Sequence, residues 1–141
     1  MTFPSIRRAI ALLATGAAIT VAAHGADLTA LVTSATPTFT QTVLQTIPFP
    51  GHGYYTKLVR TEIPPGVAAP RHVHPGLEAT YVVKGSVTMI VEGQPDRVLN
   101  AGDSFAVPAN TPHLFKNGTA ASELITTYVL EVDQPPMRKV P

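Results

Sequence analysis

Residues 66–85 read Gly66-Val-Ala-Ala-Pro-Arg-His72-Val-His74-Pro-Gly-Leu-Glu78-Ala-Thr-Tyr-Val-Val-Lys-Gly85. Two imidazoles and one carboxylate fall within seven residues, and all three (His72, His74, Glu78) carry even numbers. Side chains of equal parity share one face of an extended strand. Extended backbone here turns the three toward a common ion. A helix would set His72 and His74 about 200° apart, too far round for joint chelation.

The flanking sequence supports strands. Tyr54 to Ile63 alternates, with Tyr55, Lys57, Val59, Thr61 and Ile63 against Tyr54, Thr56, Leu58, Arg60 and Glu62, and Pro64-Pro65-Gly66 stops it. Downstream, Ala79–Val83 and Ser86–Val91 flank Lys84-Gly85, which reads as a two-residue hairpin turn. That register sets Val82 opposite Val87, Thr80 opposite Met89 and Glu78 opposite Val91. It predicts a pocket lined by Thr80, Val82, Val87, Met89 and Val91 around Glu78. Arg71, Tyr81 and Val83 have odd parity and point outward, Arg71 to a salt bridge or a surface role. The apolar outer face of Tyr81 and Val83 fits a second sheet layer or a second subunit.

The rest of the chain repeats the pattern. Gln41–Ile47 is a first, edge strand; short strands follow at 97–99, 104–107, 113–117 and 122–132, divided by turns rich in the 14 prolines and 10 glycines. Beyond residue 30 no helical period of useful length occurs. Seven or eight short strands predict an all-β sandwich or barrel over residues 41–132, with a flexible arm at 26–40 and a loose tail at 133–141.

Composition narrows the function. The 141 residues suffice for one domain. There is no cysteine, which excludes disulfides, thiolate metal sites and cysteine nucleophiles. With 13% charged residues and a net charge of +1, the chain has no nucleic-acid footprint. Residues 1–25 have the layout of a secretory signal peptide: Arg7-Arg8, then the small apolar run 9–23, then Ala23-His24-Gly25. Cleavage falls after Gly25 or after Ala23. The run is shorter than the ~20 residues of a spanning helix, so a secreted or periplasmic protein without a membrane anchor is expected. Removing residues 1–25 takes two arginines and no acid; 10 − 2 = 8 basic residues against 9 acidic ones leaves −1.

Four histidines remain after that cleavage: His52, His72, His74 and His113. His52 lies between two glycines and reads as a solvated turn residue. His113 opens a strand about 40 residues beyond His74, which a barrel can carry back to the first ligands. Three neutral imidazoles and one carboxylate suit divalent iron, manganese, nickel, copper, cobalt or zinc and leave one or two positions open. No second carboxylate and no lysine is evident near the centre, so Glu78 is the candidate base. Tyr54, Tyr55, Tyr128, Phe105 and Phe115 read as packing residues.

These residues carry a resemblance. Gly66, His72, His74, Glu78 and Gly85 meet every spacing of the first cupin motif; Gly102, Pro108, Asn110, His113 and Asn117 meet the second, with Asn110 in place of the usual glycine. Asn is the non-glycine residue best suited to left-handed backbone. Sixteen residues separate the two motifs. The chain thus resembles small single-domain bacterial cupins, quercetin-dioxygenase-like in layout. The resemblance implies a double-stranded β-helix (jelly-roll barrel) with metal on His72, His74, Glu78 and His113, and dimerisation is common in that family. Three functions are compatible with it: oxygen chemistry on an oxygen-chelating small molecule, metal-assisted isomerase, lyase or decarboxylase chemistry, and non-catalytic binding of a small ligand or metal.

Overall fold

The computed structural model describes residues 36–51 and 53–141. The expected signal peptide, the arm as far as residue 35 and His52 lie outside the described residues. Within these, ten strands and no helix are found: β1 (Thr40–Pro48), β2 (Tyr54–Ile63), β3 (His72–Val73), β4 (Leu77–Lys84), β5 (Ser86–Val91), β6 (Arg97–Asn100), β7 (Ser104–Val107), β8 (His113–Asn117), β9 (Ser122–Glu131) and β10 (Arg138–Lys139). They form two five-stranded antiparallel sheets, ordered β1-β2-β9-β4-β7 and β10-β3-β8-β5-β6. β1 is an edge strand, exposed along its whole length.

Strict alternation builds the interior. β4, β5 and β9 bury every second residue, so each sheet offers one apolar face to the other. Ile63, Val82, Leu124 and Phe105 from the first sheet pack with Val87, Met89, Val91 and Leu99 from the second. Each such side chain, fully buried, contributes about 1.5–3 kcal/mol. The outward face is as expected: Tyr81 is 49% and Val83 43% exposed. Arg71 pairs with Glu92 at 2.9 Å.

The hairpin expected at Lys84-Gly85 is not formed. β4 bonds to β9 and β7, and β5 to β6 and β8; the two strands belong to different sheets. The chain turns a corner there. Gly85 permits it, with φ 75° and so close an approach that a Cβ would collide with Ser122 Oγ and the Ala121 carbonyl. Ser122 Oγ accepts from the Ser86 amide (3.1 Å) and donates to Asn117 Oδ1 (2.7 Å), which pins the corner.

A second correction concerns parity. His72 lies in β3 of the second sheet and Glu78 in β4 of the first, so they do not share one face of one strand. The chain crosses between sheets at 74–76, with Gly76 packed against the Val129–Leu130 backbone where a Cβ would not fit. The three side chains still converge because the inner faces of the two sheets look at each other.

The tail is not loose either. β10 pairs with β3, Val140 donates to the Arg71 carbonyl, and the Arg71 guanidinium donates to the Pro141 carbonyl. The end of the arm is also engaged. Phe39 packs edge-on against Phe115, with ring centroids 5.4 Å apart.

Candidate metal centre

His72 and His113 are direct cross-strand partners on β3 and β8. His74 sits in the crossing segment, where its carbonyl accepts the Asn110 amide at 2.8 Å. Asn110 has φ 57°, the left-handed conformation anticipated for it. Glu78 faces these rings from β4. The nitrogen and oxygen donors of His72, His74, Glu78 and His113 all lie within 4.8 Å of one another. Ligands ~2.0–2.2 Å from one ion are at most ~4.4 Å apart, so only small side-chain adjustments separate this cluster from a closed coordination sphere.

The histidine tautomers follow from their neighbours. Nδ1 of His72 donates to the Pro70 carbonyl (2.7 Å), Nδ1 of His74 to Pro136 (2.6 Å) and Nδ1 of His113 to Thr111 (2.8 Å). A carbonyl only accepts, so each Nδ1 carries hydrogen and each neutral ring offers its Nε2 lone pair. Nε2 of His113 and of His74 lie 3.0 and 3.3 Å from the same oxygen, Glu78 Oε2. Two ring lone pairs and a carboxylate repel unless positive charge stands between them. His74 Nε2 is buried with no hydrogen-bond partner. Such an orphaned buried acceptor costs about 1–3 kcal/mol, and a divalent ion removes that cost. The donor set therefore fits a metal, and carbonyl anchoring of each ring is the support that metal histidines need.

The other Glu78 oxygen is also held. Thr80 donates to Oε1 at 3.0 Å and lies 2.8 Å from Thr126 Oγ1, which donates to it in turn. Burial raises the Glu78 pKa, but the close approach of the His113 and His74 rings outweighs burial and holds the carboxyl at about 2. Burial lowers His72 below its ordinary 6.5. Burial also pulls His113 down, yet its contacts with Glu78 and the Thr111 carbonyl leave it above that value. Tyr128, whose ring centre lies 4.8 Å from that of His74, is pushed up by burial and by the Glu78 charge.

The four candidate ligands form one wall of a cavity of about 230 Å³. Of the lining expected from sequence, only Met89 faces it. Thr80 stands behind Glu78 as its hydrogen-bond donor. Val82, Val87 and Val91 belong to the closed core. A strand rises about 3.3 Å per residue, so β4 has left the ligand cluster by Val82. The wall is instead made by Phe39, Phe105, Phe115 and Leu124, with Gln41, Lys57, Thr61 and Thr126 as polar points and Pro136 and Met137 from the tail. Lys57 escaped the sequence reading although a signal existed. It has the parity of Val59 and Ile63, opposite to the charged Arg60 and Glu62 that mark the solvent face.

An all-β jelly roll holding this ligand set matches a known class. The cupin domain profile covers residues 59–129, and the chain belongs to the cupin family. No curated protein matches it in sequence. Among solved structures it is similar to the DMSP lyase DddQ from Ruegeria pomeroyi DSS-3, with TM-score 0.62 and 21% identity over 72% of this chain and 51% of that one. It is similar to an oxalate oxidase in complex with the substrate analogue glycolate, with TM-score 0.60 and 25% identity over 77% and 58%. It also resembles KdgF from Halomonas sp., with TM-score 0.57 and 23% identity over 67% and 81%. The chain spans about half the length of the lyase.

Proposed function

We propose that this cupin is an exported, metal-dependent enzyme that acts on an oxygen-chelating small molecule with dioxygenase-like chemistry. The observation that carries this reading is the anchoring of all three rings by carbonyls, which aims Nε2 atoms and Glu78 at one point on an apolar cavity wall. When bound, the ion supplies a Lewis acid and, if redox-active, a path for electrons between substrate and dioxygen. Glu78 accepts the substrate hydroxyl proton, while Phe39, Phe105 and Phe115 keep water from the reacting atoms. Metal analysis of protein from its native compartment, followed by oxygen uptake with enediol and catechol probes, tests this. A redox metal with substrate-dependent uptake supports it, and zinc with no uptake refutes it.

A lyase among the fold relatives favours a second reading, isomerase, lyase or decarboxylase chemistry in which the ion acts as a Lewis acid alone. Turnover under argon separates the two. Tight binding of a ligand without conversion would instead support a binding protein. Export rests on the layout of residues 1–25, and N-terminal sequencing of the periplasmic or secreted protein tests it. The exposed Tyr81 and Val83 are the surface that a second copy would cover, and sedimentation velocity tests that.

A further inference from the structure

We infer that the cavity selects a small dianion, its chelating end at the four-ligand cluster and its far carboxylate at Lys57; this rests on the metal reading above. The register places the two ends in one row. Lys57 is the cross-strand partner of Tyr128, and Tyr128 is the partner of Glu78. All three line the cavity. Lys57 and Glu78 are thus two strands apart on the same inner face, with Cα atoms about 10 Å apart at ~4.8 Å per strand. That gap suits a chain of a few carbon atoms between two polar ends.

Charge points the same way. Lys57 is half-buried. Among the described residues no carboxylate lies within ion-pair distance of it. Apart from the histidines it is the sole cationic side chain in the lining. Turning an ammonium inward without a partner is unfavourable unless a ligand supplies the anion. A divalent ion with Glu78 leaves one positive charge, and Lys57 adds a second, which two carboxylates neutralise. Tyr128 lies between the two ends in that row, and elsewhere on the wall Gln41 and Thr61 offer polar atoms, Gln41 Nε2 donating to Thr61 Oγ1 at 3.5 Å. The phenylalanines and Leu124 cover the carbon chain.

The test uses manganese-loaded full-length protein and two probes, malate and lactate. They share the 2-hydroxy-carboxylate chelating end, and only malate has a second carboxylate. Calorimetry should show malate binding about tenfold tighter or better, the worth of one charge-assisted hydrogen bond. Added salt should shrink the difference. Lys57→Met and Lys57→Gln should erase the preference while leaving lactate affinity and manganese content unchanged, and Lys57→Arg should keep most of it. Equal affinity for the two acids in the manganese-loaded wild type, no binding of either, or a preference that survives Lys57→Met overturns the inference. Failure of the wild type to hold manganese or any other divalent ion refutes the metal reading itself.

Discussion

His113 and Glu78 come from opposite sheets and are 35 positions apart in the chain, yet His113 Nε2 and Glu78 Oε2 lie 3.0 Å apart. His74 Nε2 reaches the same oxygen at 3.3 Å. One carboxylate oxygen thus faces two ring nitrogens whose other nitrogens are already committed as donors. The site is arranged for a cation, and its response to losing one is the most direct measure of it.

Removing a ligand should cost more than removing a support. His74→Ala and His113→Ala should each lower metal affinity by more than the ~10–100-fold typical of an outer-shell partner. In both variants the rise in melting temperature on adding metal should disappear. Elemental analysis and thermal melts read both effects. Wild-type metal content in His113→Ala would remove that residue from the ligand set.

Proton and metal compete for the same nitrogens. His113 titrates above 6.5 in the metal-free protein, so metal affinity should begin to fall near neutrality and keep falling as His72, held below 6.5, takes up its proton. Metal-free stability should behave differently. The raised His113 contributes stability that is complete below 6.5 and lost as pH rises through its folded value. The lowered His72 contributes stability present above 6.5 and lost as pH falls through its folded value. Glu78 adds stability that fades between its ordinary 4.5 and about 2. Urea melts of the stripped protein should therefore peak near pH 6.5, and the loaded protein should peak higher.

Thr80 tests the second Glu78 oxygen. Thr80→Val keeps the shape but leaves Glu78 Oε1 without its Thr80 donor and the Thr126 hydroxyl without its acceptor. The expected loss is about 1–3 kcal/mol by urea unfolding, and Thr80→Ser should restore most of it. Unchanged stability in Thr80→Val would show that the hydroxyl does not hold the carboxylate.

The tail should matter for the ion more than for the fold. Neither core cluster contains a residue beyond Leu130, whereas Pro136 holds His74 and β10 covers β3. A chain ending at Asp133 should fold but bind metal ~10–100-fold more weakly, measured by competition with a chelator.

Gly85→Ala tests the corner between sheets. Left-handed backbone alone costs a residue with a Cβ about 1–2 kcal/mol, and the collision with Ser122 and Ala121 adds to it. A destabilisation above about 2 kcal/mol in denaturant melts is expected. A neutral substitution would show that Gly85 is held neither in left-handed backbone nor against Ser122.

The candidate ligand cluster was legible in the sequence because donor chemistry and spacing are local properties. His72, His74, Glu78 and His113 meet as expected, and Asn110 takes the left-handed turn its side chain tolerates. What misled was pairing. Lys84-Gly85 looks the same in a hairpin as at a corner, and only the Ser122 contact, 36 residues away from Ser86, decides between them. The cavity lining failed for the same reason, since which inward residues face open space depends on how far each strand has run from the ligands. Residues 133–141 show no period, and nothing local announces that a carbonyl there will be needed by His74.

That last bond also orders events during synthesis. His74 leaves the ribosome 62 residues before Pro136 does. Its ring waits through the emergence of every strand from β4 to β9 before anything fixes its tautomer. A nascent chain should therefore present His74 without its Pro136 anchor, and any ion the cluster takes should be held tightly only by the finished polypeptide.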